Sequence, residues 1–329
     1  MRTPESSETP VAPSLPLHVE QDGEVVKAIP LRHPWRIIVA VILVALLAVF
    51  IIDAFQREAY GWSNVGKFIF DKRISQAALV TLQLTVYAMV LAIALGLLLA
   101  IMRLSPNPVV KSIAWLYIWI FRGTPVYVQL VFWGIVALIY PVLTVGVPFM
   151  TPWITFQNGI FTNLFVTAII GLALNEAAYM SEIVRAGLLS VDEGQEEASR
   201  ALAMSWSQTM RYIVVPQAMR IIIPPTGNEV ISMLKTTSLV AAIPLSIDLY
   251  GVSRGISAVT FTPVPLLIVA SIWYLLFTSI LMVGQHFIEK RFSRGSGQRK
   301  SEKASGPGTP PAAIGLTTEP LGNEIGGKG

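Results

Sequence analysis

The sequence predicts an all-α integral membrane protein with six transmembrane helices, and three observations carry that prediction. Of its 329 residues, 53% are hydrophobic and only 13% are charged, about half the ~25% charge of a soluble domain. Six apolar stretches, approximately residues 36–55, 76–103, 113–140, 163–188, 215–241 and 265–290, each supply the ~20 residues that an α-helix needs to cross the hydrocarbon core. None alternates strictly between apolar and polar residues, as membrane β-barrel strands do.

Taken in order, residues 1–34 are rich in Pro, Ser, Glu and Thr and cannot bury a core, which reads as a disordered tail. The first apolar run, Ile37 to Ile52, has the length of either a membrane helix or a signal-peptide core. It follows a long tail containing acidic residues, and no small-x-small cleavage site follows closely. It is therefore read as a retained helix, residues 35–57. Five further crossings follow, and residues 292–329, with Gly, Ser, Lys and Pro, read as a second disordered tail.

Six crossings put both termini on one side, and basic residues choose which. With both ends inside, 17 of the 24 Lys and Arg lie in cytoplasmic segments and five lie outside: Arg57, Lys67, Lys72, Arg73 and Arg254. Arg122 and Lys235 fall within the membrane. The cluster from Lys67 to Arg73 runs against the bias, although it sits beside Glu58 and Asp71 and is compatible with lying flat at the interface.

Several function classes drop out on composition. There are no cysteines, which removes disulfides, thiolate metal sites and cysteine catalysis. His18, His33 and His286 are too far apart for a local metal motif, and no GxxxxGK[ST] phosphate loop is present. No cofactor is expected on this chain. The net charge of +4 is too diffuse to suggest nucleic acid.

The loop between the fourth and fifth crossings, residues 190–216, carries the sharpest signal. Ser190 with Glu193 fits the S-x-x-E capping box, and Ser205 with Gln208 fits S-x-x-Q. Two short helices with a bend near Ala203 are expected. They carry Ala198, Ala201, Leu202, Trp206, Met210 and Ile213, a good deal of apolar surface for a connector. One reading is an amphipathic loop lying on the protein's own inner face. The other is a short helix presented to a partner's groove.

This loop resembles the EAA motif of ABC importer permeases, in which EAA is followed by three residues, Gly, nine residues and Ile-x-Leu-Pro. Glu197-Ala198-Ser199 occupies the first element, Ala203 the glycine position, and Ile213-Val214-Val215-Pro216 the last. Ser199, Ala203 and Val215 depart from the pattern. Ala203 matters most, because glycine permits a positive φ that alanine resists, so the backbone is expected to turn differently there. Phe121-Arg122-Gly123-Thr124-Pro125, Gly194-Gln195, Pro216-Gln217-Ala218-Met219-Arg220 and Lys235-Thr236-Thr237-Ser238-Leu239 look like the polar amino-acid permeases of the histidine/glutamine type.

The resemblance covers residues 75–291 and implies a five-helix permease core, with the 35–57 helix as an N-terminal addition. It implies that Gly194, Gln195, Glu197, Ala198, Ser199, Arg200, Ala203, Ile213 and Pro216 form the ATPase-coupling element. It further implies a partner ATPase dimer carrying ATP and Mg, a second permease chain, and an extracytoplasmic amino-acid-binding protein. The location it implies is a bacterial inner membrane, with the chain itself non-catalytic.

Ionisable groups inside membrane helices are costly and point to function. Asn175, Tyr179 and Glu182 share a face of the fourth crossing with Glu176 beside them, and Asn228, Ser232 and Lys235 form a stripe on the fifth with Glu229 adjacent. Pro224-Pro225 is expected to kink or unwind that helix. Asn175, Glu176, Tyr179, Asn228, Glu229, Lys235 and Arg122 are the substrate-path candidates. Glu176 can meet an amino acid's ammonium. Alternatively, Glu176 or Glu229 pairs with Arg122 or Lys235 to hold helices together.

A stand-alone, ion-coupled secondary transporter shares the hydropathy, but it needs no ATPase-docking loop. No internal repeat of the crossings is evident either.

Overall fold

The computed structural model describes residues 18–19, 25–26, 34–145, 147 and 150–292. The two tails predicted to be disordered lie outside these, apart from a two-residue antiparallel pairing of β1 (His18–Val19) with β2 (Val25–Val26). The chain divides into a unit up to Trp62 and a larger one from Ser63.

The first unit contains α1 (Pro34–Gln56), apolar on all sides, with no residue of its most hydrophobic window buried by the protein. A helix of that kind has lipid as its solvent. Its end is finished by aromatic stacking. Trp62 lies 4.7 Å from the Phe55 ring and 5.7 Å from Tyr60, and its indole N–H donates to the Ala54 carbonyl at 3.0 Å.

The second unit is a helical bundle. After α2 (Trp62–Phe68), α3 (Lys72–Leu104) packs along most of its length on α7 (Leu164–Leu189). Small residues make that approach possible, among them Ala88, Ala92 and Gly96 on α3 with Ala173 and Ala177 on α7. Gly96 is the tightest point: a Cβ there would stand 2.6 Å from the Met180 Cβ and 3.2 Å from the Ala177 carbonyl. Membrane helices, without a hydrophobic drive towards one another, depend on such close contacts.

The predicted crossing 113–140 is not one helix. It is α4 (Pro108–Gly123) and α5 (Val126–Ile139), bent by 107° at Thr124-Pro125. Pro125 has no N–H to continue α4 and biases Thr124 to extended backbone, which it adopts at ψ 143°. The following connection contains an antiparallel hairpin, β3 (Val142–Val145) with β4 (Ile154–Gln157), and the short α6 (Gly159–Thr162). Neither was expected from an all-helical reading.

Beyond α7 come α8 (Glu193–Ala201), α9 (Trp206–Thr209), a π turn (Met210–Val214) and α10 (Val215–Thr236). The expected interruption at Pro224-Pro225 is absent, since α10 runs unbroken through both. Side chains secure the backbone on either side. Thr226 Oγ1 donates to the Ile222 carbonyl at 2.7 Å, and Gln285 Nε2 donates to the Pro224 carbonyl at 2.7 Å. Neighbouring groups commonly support prolines in membrane helices this way. A 3₁₀ segment (Thr237–Ala242), α11 (Leu249–Thr260) and α12 (Pro263–Phe292) complete the unit.

Among the described residues, α1, α3, α7 and α12 are long and apolar enough to cross a membrane, with α4–α5 a fifth if the bent pair is one span. The predicted sixth, 215–241, is outside that set. Arg220, Glu229 and Lys235 on α10 dilute its hydropathy.

Candidate functional site

The predicted coupling loop is two helices joined by a turn, as expected, but its first cap differs. Ser190 Oγ is engaged with the Gly187 carbonyl at 2.6 Å, and Asp192 caps α8, its Oδ1 accepting from the Gly194 N–H at 2.8 Å. An aspartate two residues before Gly194 competes better for the exposed N–H groups than a serine still at the end of α7. Gly194 is part of this cap, because a Cβ would lie 2.9 Å from Asp192 Oδ1. The second capping box forms as predicted: Ser205 N–H donates to Gln208 Oε1 at 2.8 Å, and Ser205 Oγ accepts from the Gln208 N–H at 3.4 Å.

Ala203 overturns the expectation of an altered bend. It adopts φ 55°, the left-handed conformation that glycine takes freely. Met204 N–H donates to the Ser199 carbonyl at 3.1 Å and Ala203 N–H to the Arg200 carbonyl at 2.9 Å, the paired bonds of a Schellman turn. Satisfying those carbonyls holds the alanine where a glycine would sit. At the far end, Val215 N–H reaches back to the Met210 carbonyl. This wide turn accommodates Pro216, which has no N–H to offer Tyr212.

The loop's surface is mixed. Leu202 (76% exposed), Trp206 (74%) and Tyr212 (65%) stand out beside exposed Glu197, Ala198 and Arg200. Arg200 pairs with Glu196 at 3.5 Å. Gln195 accepts from Gln217 at 3.4 Å, and Ser199 is fully buried. Met210 and Ile213, by contrast, are half-buried against the chain itself.

Within the membrane helices, the candidates separate into different roles. The amide N–H of Asn175 on α7 donates to the Phe121 carbonyl at 2.9 Å and to Gln129 Oε1 at 3.2 Å. Gln129 in turn donates to the Phe121 and Thr124 carbonyls and to Thr124 Oγ1. These two side chains satisfy the carbonyls exposed at the α4–α5 break. Gln129 was missed in the sequence, where it stands as one polar residue in an apolar run just past Thr124-Pro125.

Glu182 belongs to the packing. It holds Arg185 at 2.8 Å and reaches Arg103 of α3 at 4.0 Å. Arg122 lies over the Tyr179 ring at 5.1 Å, a cation–π contact. Among the described residues, neither Arg122 nor Lys235 forms an ion pair with Glu176 or Glu229, contrary to the helix-fastening alternative.

Glu176 is different. It is 7% exposed, and its Oε1 is buried without a hydrogen-bond partner. The ionisable group that faces it is another carboxyl, Glu229 of α10, close enough for the two side chains to hydrogen-bond. Asn228 and Lys235 lie on the exposed side of α10. Two carboxyl groups from α7 and α10 thus meet inside the bundle. Among the described residues, no three His, Asp or Glu side chains gather closely enough to hold a metal ion.

Residues 92–294 match the family described as binding-protein-dependent transport system inner membrane component. The chain is 58% identical over 271 residues to the arginine transport system permease protein ArgU of Corynebacterium glutamicum, covering 82% of this chain and 84% of that protein. It is 36% identical over 217 residues to the histidine/lysine/arginine/ornithine transport system permease protein HisM of Escherichia coli K12, covering 65% and 86%. A crystal structure of an amino acid ABC transporter with histidines matches with a TM-score of 0.55 at 33% identity, over 67% of this chain and 94% of that one. The chain therefore belongs to the binding-protein-dependent transport system inner membrane components, as the non-catalytic, membrane-spanning permease subunit of an ABC-type amino-acid importer.

Proposed function

We propose that this chain, with a second permease chain, forms the path for a cationic amino acid of the arginine class. The buried Glu176 carboxyl, with one oxygen lacking a partner and Glu229 opposite, carries this reading. A guanidinium or ammonium entering there gains charge-assisted hydrogen bonds that the apo bundle leaves unmade. The identity with an arginine transport permease supports the same substrate class. Asn175 acts at one remove, by fixing the α4–α5 break beside the site.

Six crossings with both termini cytoplasmic fit the basic-residue bias, with α4–α5 as one broken crossing and α10 as the remaining one. Asn228 and Lys235 lie on an exposed side of α10 that lipid would tolerate poorly. The second permease chain and the aqueous path between the two chains give that side its solvent. The loop 190–216 docks on an ATPase dimer that carries ATP and Mg, while a binding protein delivers substrate at the opposite face of a bacterial inner membrane. Closure of the ATPase moves α8 and α9, which continue through the π turn into α10. Gly187 on α7 lets α10 pack close beside it, since a Cβ there would collide with Ile222, and this contact is where the motion passes to α7.

The test is arginine affinity of the reconstituted complex with Glu176→Gln. Loss of a charge-assisted contact worth about 1.5–3 kcal/mol weakens binding roughly 10- to 100-fold while leucine, as a control, stays unbound. Unchanged arginine affinity would refute the assignment.

A further inference from the structure

Two departures from the family's coupling motif, Ser199 and Ala203, fall on one structural unit. Ala203 holds the left-handed position of the turn that ends α8. An L-residue there costs about 1 kcal/mol more than glycine, so the turn needs support elsewhere. Ser199 is the residue whose carbonyl receives the turn's Met204 N–H. Its hydroxyl donates to the Glu196 carbonyl at 2.8 Å and lies 2.9 Å from Thr209 Oγ1. A serine has one hydroxyl proton, so with that proton on Glu196 it is Thr209 that donates to Ser199. Ser199 is 0% exposed and Thr209 4%. The other side-chain polar link from α8 to the segment after it, Gln217 to Gln195, is 3.4 Å long and exposed.

We propose that the Ser199–Thr209 hydroxyl pair is a positioning clamp that holds α8 and α9 as one rigid body across a turn built without glycine. On this view the clamp sets how much transport each ATP hydrolysed delivers. A loop that flexes at Ala203 absorbs the movement of the ATPase instead of passing it to α10. This rests on the reading that the loop docks on the ATPase.

The experiment uses the full complex in proteoliposomes, with radiolabelled arginine uptake and ATP hydrolysis measured together. Thr209→Val keeps the side-chain shape and removes the hydroxyl, while Thr209→Ser keeps the hydroxyl. Transport per ATP is expected to fall severalfold for Thr209→Val and for Ser199→Ala, which each break the pair. The double variant falls no further than the worse single one, because both break the same bond. Thr209→Ser retains the wild-type ratio, and adding Ala203→Gly to Ser199→Ala restores it to within about twofold by removing the strain. A wild-type ratio in Thr209→Val, or no recovery on adding Ala203→Gly, overturns the clamp. Glu197→Lys separates the two levels. Normal uptake by it removes the docking role and the clamp together. Its failure beside a wild-type Thr209→Val leaves docking intact and removes the clamp alone.

Discussion

Replacing Gly96 by alanine puts a methyl carbon into the closest approach of α3 and α7. The new Cβ would lie 2.6 Å from Met180 Cβ, 3.1 Å from Ser181 N and 3.2 Å from the Ala177 carbonyl oxygen. Carbon atoms pack best at about 3.5–4.0 Å, so the helices must part by roughly 1 Å there. None of the three atoms can rotate away, because two are backbone and the third is the first side-chain carbon. Overpacking of this kind costs about 1–3 kcal/mol, while alanine's better helix propensity returns up to ~1 kcal/mol. With the full propensity return the net loss is up to about 2 kcal/mol, or a fall of up to roughly 8 °C in the unfolding midpoint of a domain this size. Gly284 on α12 supplies the control. A Cβ there meets nothing within 4 Å, so Gly284→Ala keeps the propensity gain and does not lower the midpoint. Thermal unfolding of the detergent-solubilised permease measures both. A Gly96→Ala midpoint at or above wild type would refute the packing argument.

Gln129→Leu removes one of the two donors to the Phe121 carbonyl, Asn175 supplying the other, and the donor to the exposed Thr124, at about 1 kcal/mol for the lost bonding. It lowers the same midpoint, and an unchanged value would show that the bend stands without it. Gly227→Ala drives a methyl to 1.5 Å from Gln285 Oε1, which displaces the amide from the Pro224 carbonyl. Arginine uptake and the midpoint should both fall, whereas Gln285→Ala restores packing space. If Gly227→Ala combined with Gln285→Ala is no better than Gly227→Ala alone, the clash is not the cause.

The membrane class and the helices between residues 72 and 292 were legible because hydropathy follows directly from the solvent that surrounds them. The α4–α5 break was not read, although its signal lay in Gly123-Thr124-Pro125. An apolar run on both sides hides a bend, since hydropathy carries no direction. The opposite error occurred at Pro224-Pro225, where two missing donors argue for a break that α10 does not make. A cross-helix contact beside the prolines comes from Gln285, 61 residues away, in the space left by Gly227. No local pattern reports a contact at that separation.

The candidate site divides on the same principle. Charge marked Glu176, Glu229, Glu182 and Arg122 equally, because each is costly in lipid. What sorts them is which costs are met within the bundle. Glu182 has two arginines, Arg122 has the Tyr179 ring, and Asn175 has two acceptors around the break. Glu176 is left with a buried oxygen that nothing satisfies and a second carboxyl opposite. Other buried polar atoms, among them Asp248 Oδ1 and Tyr274 OH, also lack partners, so it is the opposed carboxyl that singles out Glu176 for the proposed ligand. Ala203 follows the same reasoning on the backbone. Taken alone, an alanine where the motif has glycine predicts a different turn. The turn is kept because carbonyls at the end of α8 receive the Ala203 and Met204 N–H groups, with the Ser199 hydroxyl buried against Thr209 beside them. A departure from a motif is therefore read together with its spatial neighbours, since the residue that compensates for it, here Thr209, can lie outside the motif's named positions.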